Sequence, residues 1–478
     1  MKKVLLTTFE SLPFIKTGGL ADVCYALPKS INSKKFNVKV VLPLHLSIKE
    51  KYLKELNYLT TIDVLAPCFN LQANVYSYFV DKVEYYFIDN DTYFNRNDVY
   101  GYHDDKYRFS FFCLAVIEML KKLEYYPDII QSNDYHTALI PAFCKLQCKR
   151  DKNIKKIKHI FTIHNLLYQG HYDKSLLFEL GFKYKDFQNG LLRFNDECNL
   201  MKIGISCADK VLTVSKNYAK EILNPEFGQG LDCVLKYRED DLYGIINGID
   251  CDFFNPKNDP YLYENYDYHN FLKGKQANKQ ELLKDLKLKD DECMLVGIIT
   301  RMTYQKGLDL VLSNCKEMLR KNVKLVVIGS GESKYEYAFK ILEKEYKKQI
   351  KYICTYDEKL AHRVYAACDL FLMPSLFEPC GLSQMIAMRY GTLPLVRETG
   401  GLKETVEPYN EYAKTGWGFS FKPYNSYDFM IVFNYAYKTY FKNKKDYKML
   451  IKNAMKIDVS FKRVKSEYEN LYNEIVGD

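Results

Sequence analysis

No run of about 20 apolar residues occurs in this 478-residue chain, so no segment reads as a membrane-spanning helix. None of the 14 cysteines stands in C-x-x-C spacing, and Cys144 and Cys148, one helical turn apart, have no histidine placed to complete a zinc site. Scattered thiols of this kind read as reduced residues of a cytosolic protein. The start Met1-Lys2-Lys3-Val4-Leu5-Leu6 has the look of a signal peptide, but the apolar run stops at Thr7-Thr8 and gives way to Glu10. That is too short for the apolar core of a leader, and the expected location is the cytoplasm. No basic block interleaved with aromatics points to nucleic acid, and no G-x-G-x-x-G follows a strand, which argues against a nicotinamide site. Repeats and low-complexity tracts are missing too. No Asp-x-Asp pair stands beside a nucleotide loop, and Asp104-Asp105 read as adjacent side chains on opposite sides of an extended chain, so no metal site is expected.

What is present is ordinary globular composition, 47% hydrophobic and 27% charged, in a chain long enough for two cores. The net charge of +9, from 69 basic and 60 acidic residues, is spread along the chain and reads as a solvated lysine-rich surface. Short β-branched runs alternate with amphipathic stretches, at Val4–Thr7, Val38–Val41, Tyr85–Ile88, Ile129–Ile130, Ile160–Ile163 and Val211–Val214 in the first half. Leu295–Ile299, Leu325–Ile328, Tyr352–Ile353, Leu370–Leu372 and Leu393–Val396 continue the pattern. Continuous apolar runs separated by helical segments predict parallel strands covered on both faces, in two doubly wound α/β domains. The domain change is placed at the Asn247-Gly248 turn, giving domains over 1–246 and 247–455, with a terminal helix over 456–478 returning to the first domain.

Several strand-end loops carry candidate chemistry. Lys16-Thr17-Gly18-Gly19-Leu20 offers a cation and two glycines that let a phosphate or sugar approach the backbone at a helix start. An ordinary turn would use the same glycines. Asn133-Asp134-Tyr135-His136 and His164-Asn165 follow apolar runs, at the edge where α/β sheets bind ligands. Asp134 could instead cap the next helix. Arg301 and Lys306, five residues apart, could address one diphosphate. In Glu378-Pro379-Cys380-Gly381-Leu382-Ser383 the amides of Gly381, Leu382 and Ser383 could receive a distal phosphate while Glu378 faces sugar hydroxyls. Thr399-Gly400-Gly401-Leu402 repeats the Thr-Gly-Gly-Leu of residues 17–20 and reads as a second backbone clamp.

In order and spacing, K-T-G-G-L-A-D-V, N-D-Y-H, T-I-H-N-L-x-Y-Q-G, N-G-I-D, R-M-T-Y-Q-K-G-L-D, F-E-P-C-G-L-S-Q and R-E-T-G-G-L-K-E-T-V resemble the bacterial glycogen synthase and plant starch synthase family. The resemblance implies a GT-B fold, two Rossmann-like domains facing a central cleft, the first on the glucan side and the second on the nucleotide-sugar side. It implies a retaining transferase that moves glucose from ADP-glucose to the non-reducing end of glycogen or another α-1,4-glucan, with neither metal nor other cofactor. Its catalytic positions fall on His164, Arg301, Lys306 and Glu378. Donor contacts fall on Lys16, Gly18, Gly19, Arg301, Lys306, Tyr356 (adenine), Gly381, Leu382 and Ser383, and cleft positions on Asp22, Asp134, His136, Asn165 and Asn247. Tyr135 stands where the family often has Trp and Leu376 where bacterial members often have Arg, while Ile386 replaces the second glutamate of the E-x7-E pattern of other retaining GT-B enzymes. A UDP-glucose transferase, a pyridoxal-phosphate phosphorylase and a non-catalytic glucan binder remain as alternatives; neither nucleic acid nor membrane is an expected partner.

Overall fold

The computed structural model describes residues 1–289 and 291–477. The backbone forms two compact units, one from Met1–Gly248 together with the segment that begins at Phe461, the other from Ile249–Ser460. The crossings thus lie at Gly248–Ile249 and Ser460–Phe461, a few residues beyond the expected 246/247 and 455/456 boundaries.

The first unit contains β1 (Lys2–Thr7), β2 (Phe36–Pro43), β3 (Asn57–Ala66), β4 (Phe69–Val80), β5 (Val83–Asp89), β6 (Ile129–Asn133), β7 (Lys158–Ile163), β8 (His171–Tyr172), β9 (Arg193–Phe194), β10 (Glu197–Asn199), β11 (Lys210–Thr213) and β12 (Leu242–Gly244). Nine of these make one sheet in the order β12-β11-β7-β6-β1-β2-β5-β4-β3, and β8, β10 and β9 form a small separate one. From β12 to β5 all pairings are parallel, and inner strands such as β6 are buried throughout. The parallel rule fails at one edge, where β4 runs antiparallel to β5 and to β3. That hairpin has one solvated face, so its side chains alternate between buried and exposed rather than forming apolar runs. The short turn Phe461–Val464 and the helix Lys465–Val476 complete this unit: Tyr472 OH donates to Gln131 Oε1 at 2.7 Å and Lys2 Nζ to Asn473 Oδ1 at 3.0 Å.

The second unit holds β13 (Met294–Ile299), β14 (Val323–Ile328), β15 (Ile350–Ile353), β16 (Leu370–Met373), β17 (Leu393–Arg397) and β18 (Phe419–Phe421). They form a fully parallel sheet in the order β15-β14-β13-β16-β17-β18. β13 and β14 are buried at every residue. β18, three residues long, is too short to leave a sequence pattern. The polar stretch after the crossing is pinned by Asp259, which is buried and accepts from Tyr390 OH at 2.5 Å and from His362 Nδ1 at 2.6 Å.

Both sheets are doubly wound, and each has one place where successive connections leave in opposite directions. In the first unit it lies between β6 and β1, in the second between β13 and β16. A crevice outside the carboxyl ends of the strands is expected at those two places.

Candidate active site

The loops singled out in the sequence converge on these two switch points. β1 leads into Lys16–Gly18, β6 into Asp134, and β7, beside β6, into His164. β13 leads into Arg301 and Lys306, and β16 into Glu378.

At the first edge the nest of amides before the helix Gly19–Ile31 already holds an anion. Glu10, only 4% exposed, accepts from Thr17 N at 2.5 Å, Gly18 N at 3.0 Å and Thr17 Oγ1 at 2.9 Å. Burial raises its pKa against these bonds, which lower it. The expectation that the Gly18 amide serves donor phosphate is therefore corrected: that N–H is committed to Glu10. Lys16 Nζ lies 2.8 Å from Asp22 Oδ1, whose carboxylate sits in the helix's first turn, where the helix dipole favours it.

Asp134 does not cap the turn that follows it. It adopts φ 57° and ψ 178°, a region costly for any residue with a side chain, by about 1–3 kcal/mol. Its Oδ1 reaches sideways to accept the His164 N–H at 2.7 Å. Burial pushes this carboxyl up to about 7. Asn133 spends its amide N–H on Thr7 O at 3.0 Å, so its Oδ1 must accept, and His164 Nε2–H donates to it at 2.8 Å. Burial lowers the His164 pKa to about 3, so the ring is neutral with Nδ1 as its free acceptor position. His136 is placed differently from a cleft residue. It is 4% exposed, stacked on Tyr100 with ring centroids 5.1 Å apart, and its pKa is lowered to about 3 by burial. Asn165 Oδ1 accepts the Leu167 N–H at 3.1 Å and shapes its own turn. Asn247, 4% exposed, keeps an Oδ1 with no hydrogen-bond partner.

At the second edge Arg301 is exposed and Lys306 ends a single turn, Tyr304–Lys306. Lys306 Nζ contacts both Glu378 carboxylate oxygens, at 2.9 and 2.7 Å, and Ser375 Oγ donates to Glu378 Oε2 at 3.0 Å. The two candidate catalytic groups thus form one partly buried ion pair, the cation from the β13 loop and the carboxylate from the β16 loop. Gly381 has φ +75°, and Leu382 and Ser383 open the helix Ser383–Arg389. Tyr356 is 53% exposed in the loop between β15 and the helix Glu358–Ala367.

The second Thr-Gly-Gly-Leu, read from the sequence as a second backbone clamp, is likewise engaged within the protein. Gly401 N–H donates to the Glu378 and Pro379 carbonyls at 3.3 and 3.1 Å, and a Cβ on Gly400, whose φ is +44°, would lie 1.8 Å from Glu378 O. These glycines let two backbones touch and so fix Glu378. Gly400→Ala is accordingly expected to cost about 2 kcal/mol or more, from strain and the forced shift of the Glu378 loop. Its thermal unfolding should fall by several degrees and its activity should fall with it; an unchanged melting temperature would contradict this packing.

Glu10 and Ser375 escaped the sequence reading, and Asn133 and Gly400 were read there only as parts of loop motifs, because what each does depends on the partner that the folded loops set against it. The Asp104-Asp105 reading is corrected too. Both lie at a helix start, Asp104 paired with Arg96 at 2.5 Å and Asp105 with Arg108 at 2.5 Å. Two Asp-x-Asp pairs exist, but Lys49 bridges Asp89 and Asp91, and Asp250 caps the turn over Asp252 and Phe253. Among the described residues no group of three or more His, Cys, Asp or Glu could hold a metal ion. A cavity of about 600 Å³ opens at the opposite, amino edge of the second sheet. Its buried lysines are engaged internally, Lys279 by Asp369 at 2.7 Å and Lys275 by the Ala366 and Cys368 carbonyls at 2.9 Å.

A starch synthase catalytic domain model matches residues 3–237, and a glycosyl transferases group 1 model matches residues 278–457. A glycogen synthase of Clostridium beijerinckii is 44% identical over 478 residues, covering 99% of each chain. The chain belongs to the glycogen and starch synthase family. A glycogen synthase of Clostridium botulinum (strain Alaska E43) is 43% identical over 476 residues, again covering 99% of both chains. The catalytic domain of starch synthase IV from Arabidopsis thaliana, solved bound to ADP and acarbose, superposes with a TM-score of 0.93 at 32% identity, over 99% of each chain. Membership makes this chain a glycosyltransferase of GT-B fold, and both of its Rossmann-like units fall within the family's span. No helix of the described residues is long and apolar enough to cross a membrane.

Proposed function

We propose that the chain is a glycogen synthase that transfers glucose from ADP-glucose to the non-reducing end of an α-1,4-glucan, with retention and release of ADP. The observation that carries this reading is the Lys306–Glu378 pair at the β13/β16 switch point, beside Arg301 and the Gly381–Ser383 helix start. A diphosphate needs fixed positive charge as it departs, and a glucose ring needs a carboxylate for its hydroxyls. In this reading Arg301, Lys306 and the amides of Gly381, Leu382 and Ser383 receive the diphosphate, Tyr356 meets the adenine face, and Glu378 turns to the sugar. At the carboxyl edge of the first sheet Lys16 and the Gly19 amide meet the donor's phosphate and sugar, His164 lies near the transferring glucose, and Asp22, Asp134, Asn165 and Asn247 serve the acceptor. Neutral His164 fits a hydrogen-bonding role toward glucose rather than that of a cation. The glucose C1–O bond to phosphate breaks as the acceptor O4 bonds to C1 on the same face, and the acceptor proton passes to the departing phosphate oxygen.

The starch synthase IV structure with ADP supports the adenine choice. Incubation with glycogen and labelled ADP-glucose or UDP-glucose tests it. Label should enter glycogen from ADP-glucose at least ~10-fold faster, and equally well in EDTA, because side-chain cations and amides supply the positive potential. Preference for UDP-glucose would overturn the donor assignment, and no incorporation from either would overturn the activity.

A further inference from the structure

We propose that Glu10 is a positioning residue of the Lys16 loop, a built-in anion that fills the amide nest at the start of the first glycine-led helix. The inference rests on the proposed role of Lys16 toward donor phosphate. Helix starts leave N–H groups without intrahelical partners, and such a nest captures any anion that reaches it. Here the Thr17 and Gly18 N–H groups and the Thr17 hydroxyl all converge on one buried carboxylate, which also accepts from Tyr100 OH at 3.2 Å. Tyr100 in turn stacks on His136, the neighbour of the strained Asp134 loop. Glu10 therefore ties the loop after β1 to the loop after β6, across the switch point. With the nest filled from inside, a donor phosphate cannot sink into it, and Lys16, held by Asp22, is the group left to meet it.

Glutamine can replace this anion in part. Its amide oxygen can accept the two N–H groups, while its NH2 faces the Thr17 and Tyr100 hydroxyls, which can reverse from donor to acceptor. Alanine leaves the nest empty. Steady-state kinetics on the full-length protein should show the Glu10→Ala variant with a KM for ADP-glucose raised at least ~10-fold, against less than ~3-fold for Glu10→Gln. Added formate or acetate should fill the empty nest, lower the KM of Glu10→Ala in a saturable way and leave wild type unaffected; neutral formamide should do less. An unchanged KM in a folded Glu10→Ala, or a raised KM that no carboxylate lowers, would overturn the inference. If Glu10→Ala does not fold, a Glu10→Gln variant with KM raised as far as that of Lys16→Ala overturns it equally. Lys16→Ala separates the two levels: an unchanged KM there refutes the donor role of Lys16 itself, whereas a raised KM with a normal Glu10→Ala refutes only the positioning role.

Discussion

Lys306→Ala should lower turnover at least ~100-fold, about 3 kcal/mol of transition-state stabilisation, and should also destabilise the fold. The first effect follows from charge. The ammonium sits at the end of β13, where a departing diphosphate would gather negative charge, and loss of one such electrostatic donor costs about that much. The second follows from its partner. Lys306 neutralises Glu378, whose side chain is only 8% exposed. Truncating the lysine leaves that carboxylate with Ser375 Oγ as its remaining side-chain hydrogen bond. A buried charge left unpaired costs about 3–5 kcal/mol, and the serine and partial solvent access reduce this to roughly 2. The double variant Lys306→Met/Glu378→Gln removes the stranded charge, so it should regain most of the melting temperature and none of the activity. Stability and turnover recovering together would show that Lys306 is only structural.

Asp134→Asn should stabilise the protein while slowing it at least ~10-fold. The carboxyl titrates at about 7 in the fold, against about 4 in an unfolded chain. Between those values the unfolded chain has released its proton and the folded one retains it. Stability therefore falls as pH rises from about 4 to about 7, and the full penalty is present above pH 7. The difference corresponds to about 4 kcal/mol, and partial solvent access reduces it to roughly 2. Asparagine removes the charge, is nearly isosteric and can still accept the His164 N–H. The gain in melting temperature should be larger at pH 8 than at pH 5. In the proposed reading activity moves the other way, because an ionised carboxylate beside the neutral His164 would favour positive charge developing on the glucose ring. Wild-type kcat/KM should rise through pH ~7, and that limb should vanish in Asp134→Asn. A variant less stable at pH 8 than at pH 5, relative to wild type, would contradict the pKa assignment.

These two residues also show what a sequence can disclose. The runs that became β6, β13 and β14 were legible because strands covered on both faces must be continuously apolar, and the loops that follow them stand out for their glycines and charges. The β3–β4 hairpin was not, since one solvated face gives alternation that polar residues such as Asp63 and Gln72 obscure. The positions of Lys306 and Glu378 were visible, but their union was not: they are 72 residues apart and meet because β13 and β16 are neighbours in the sheet. Likewise Glu10 shows no motif of its own, and its meaning comes from the Thr17 and Gly18 amides that fold over it. The second Thr-Gly-Gly-Leu misled for the same reason, its glycines being demanded by backbone contact with Glu378 rather than by a ligand.

The most direct test of the account is a crystal structure of the protein with ADP bound. The diphosphate should lie within hydrogen-bond distance of Arg301, Lys306 and the Gly381–Ser383 amides, with Lys306 drawn away from Glu378 and adenine against Tyr356. A nucleotide seated elsewhere, with the Lys306–Glu378 pair intact, would contradict it.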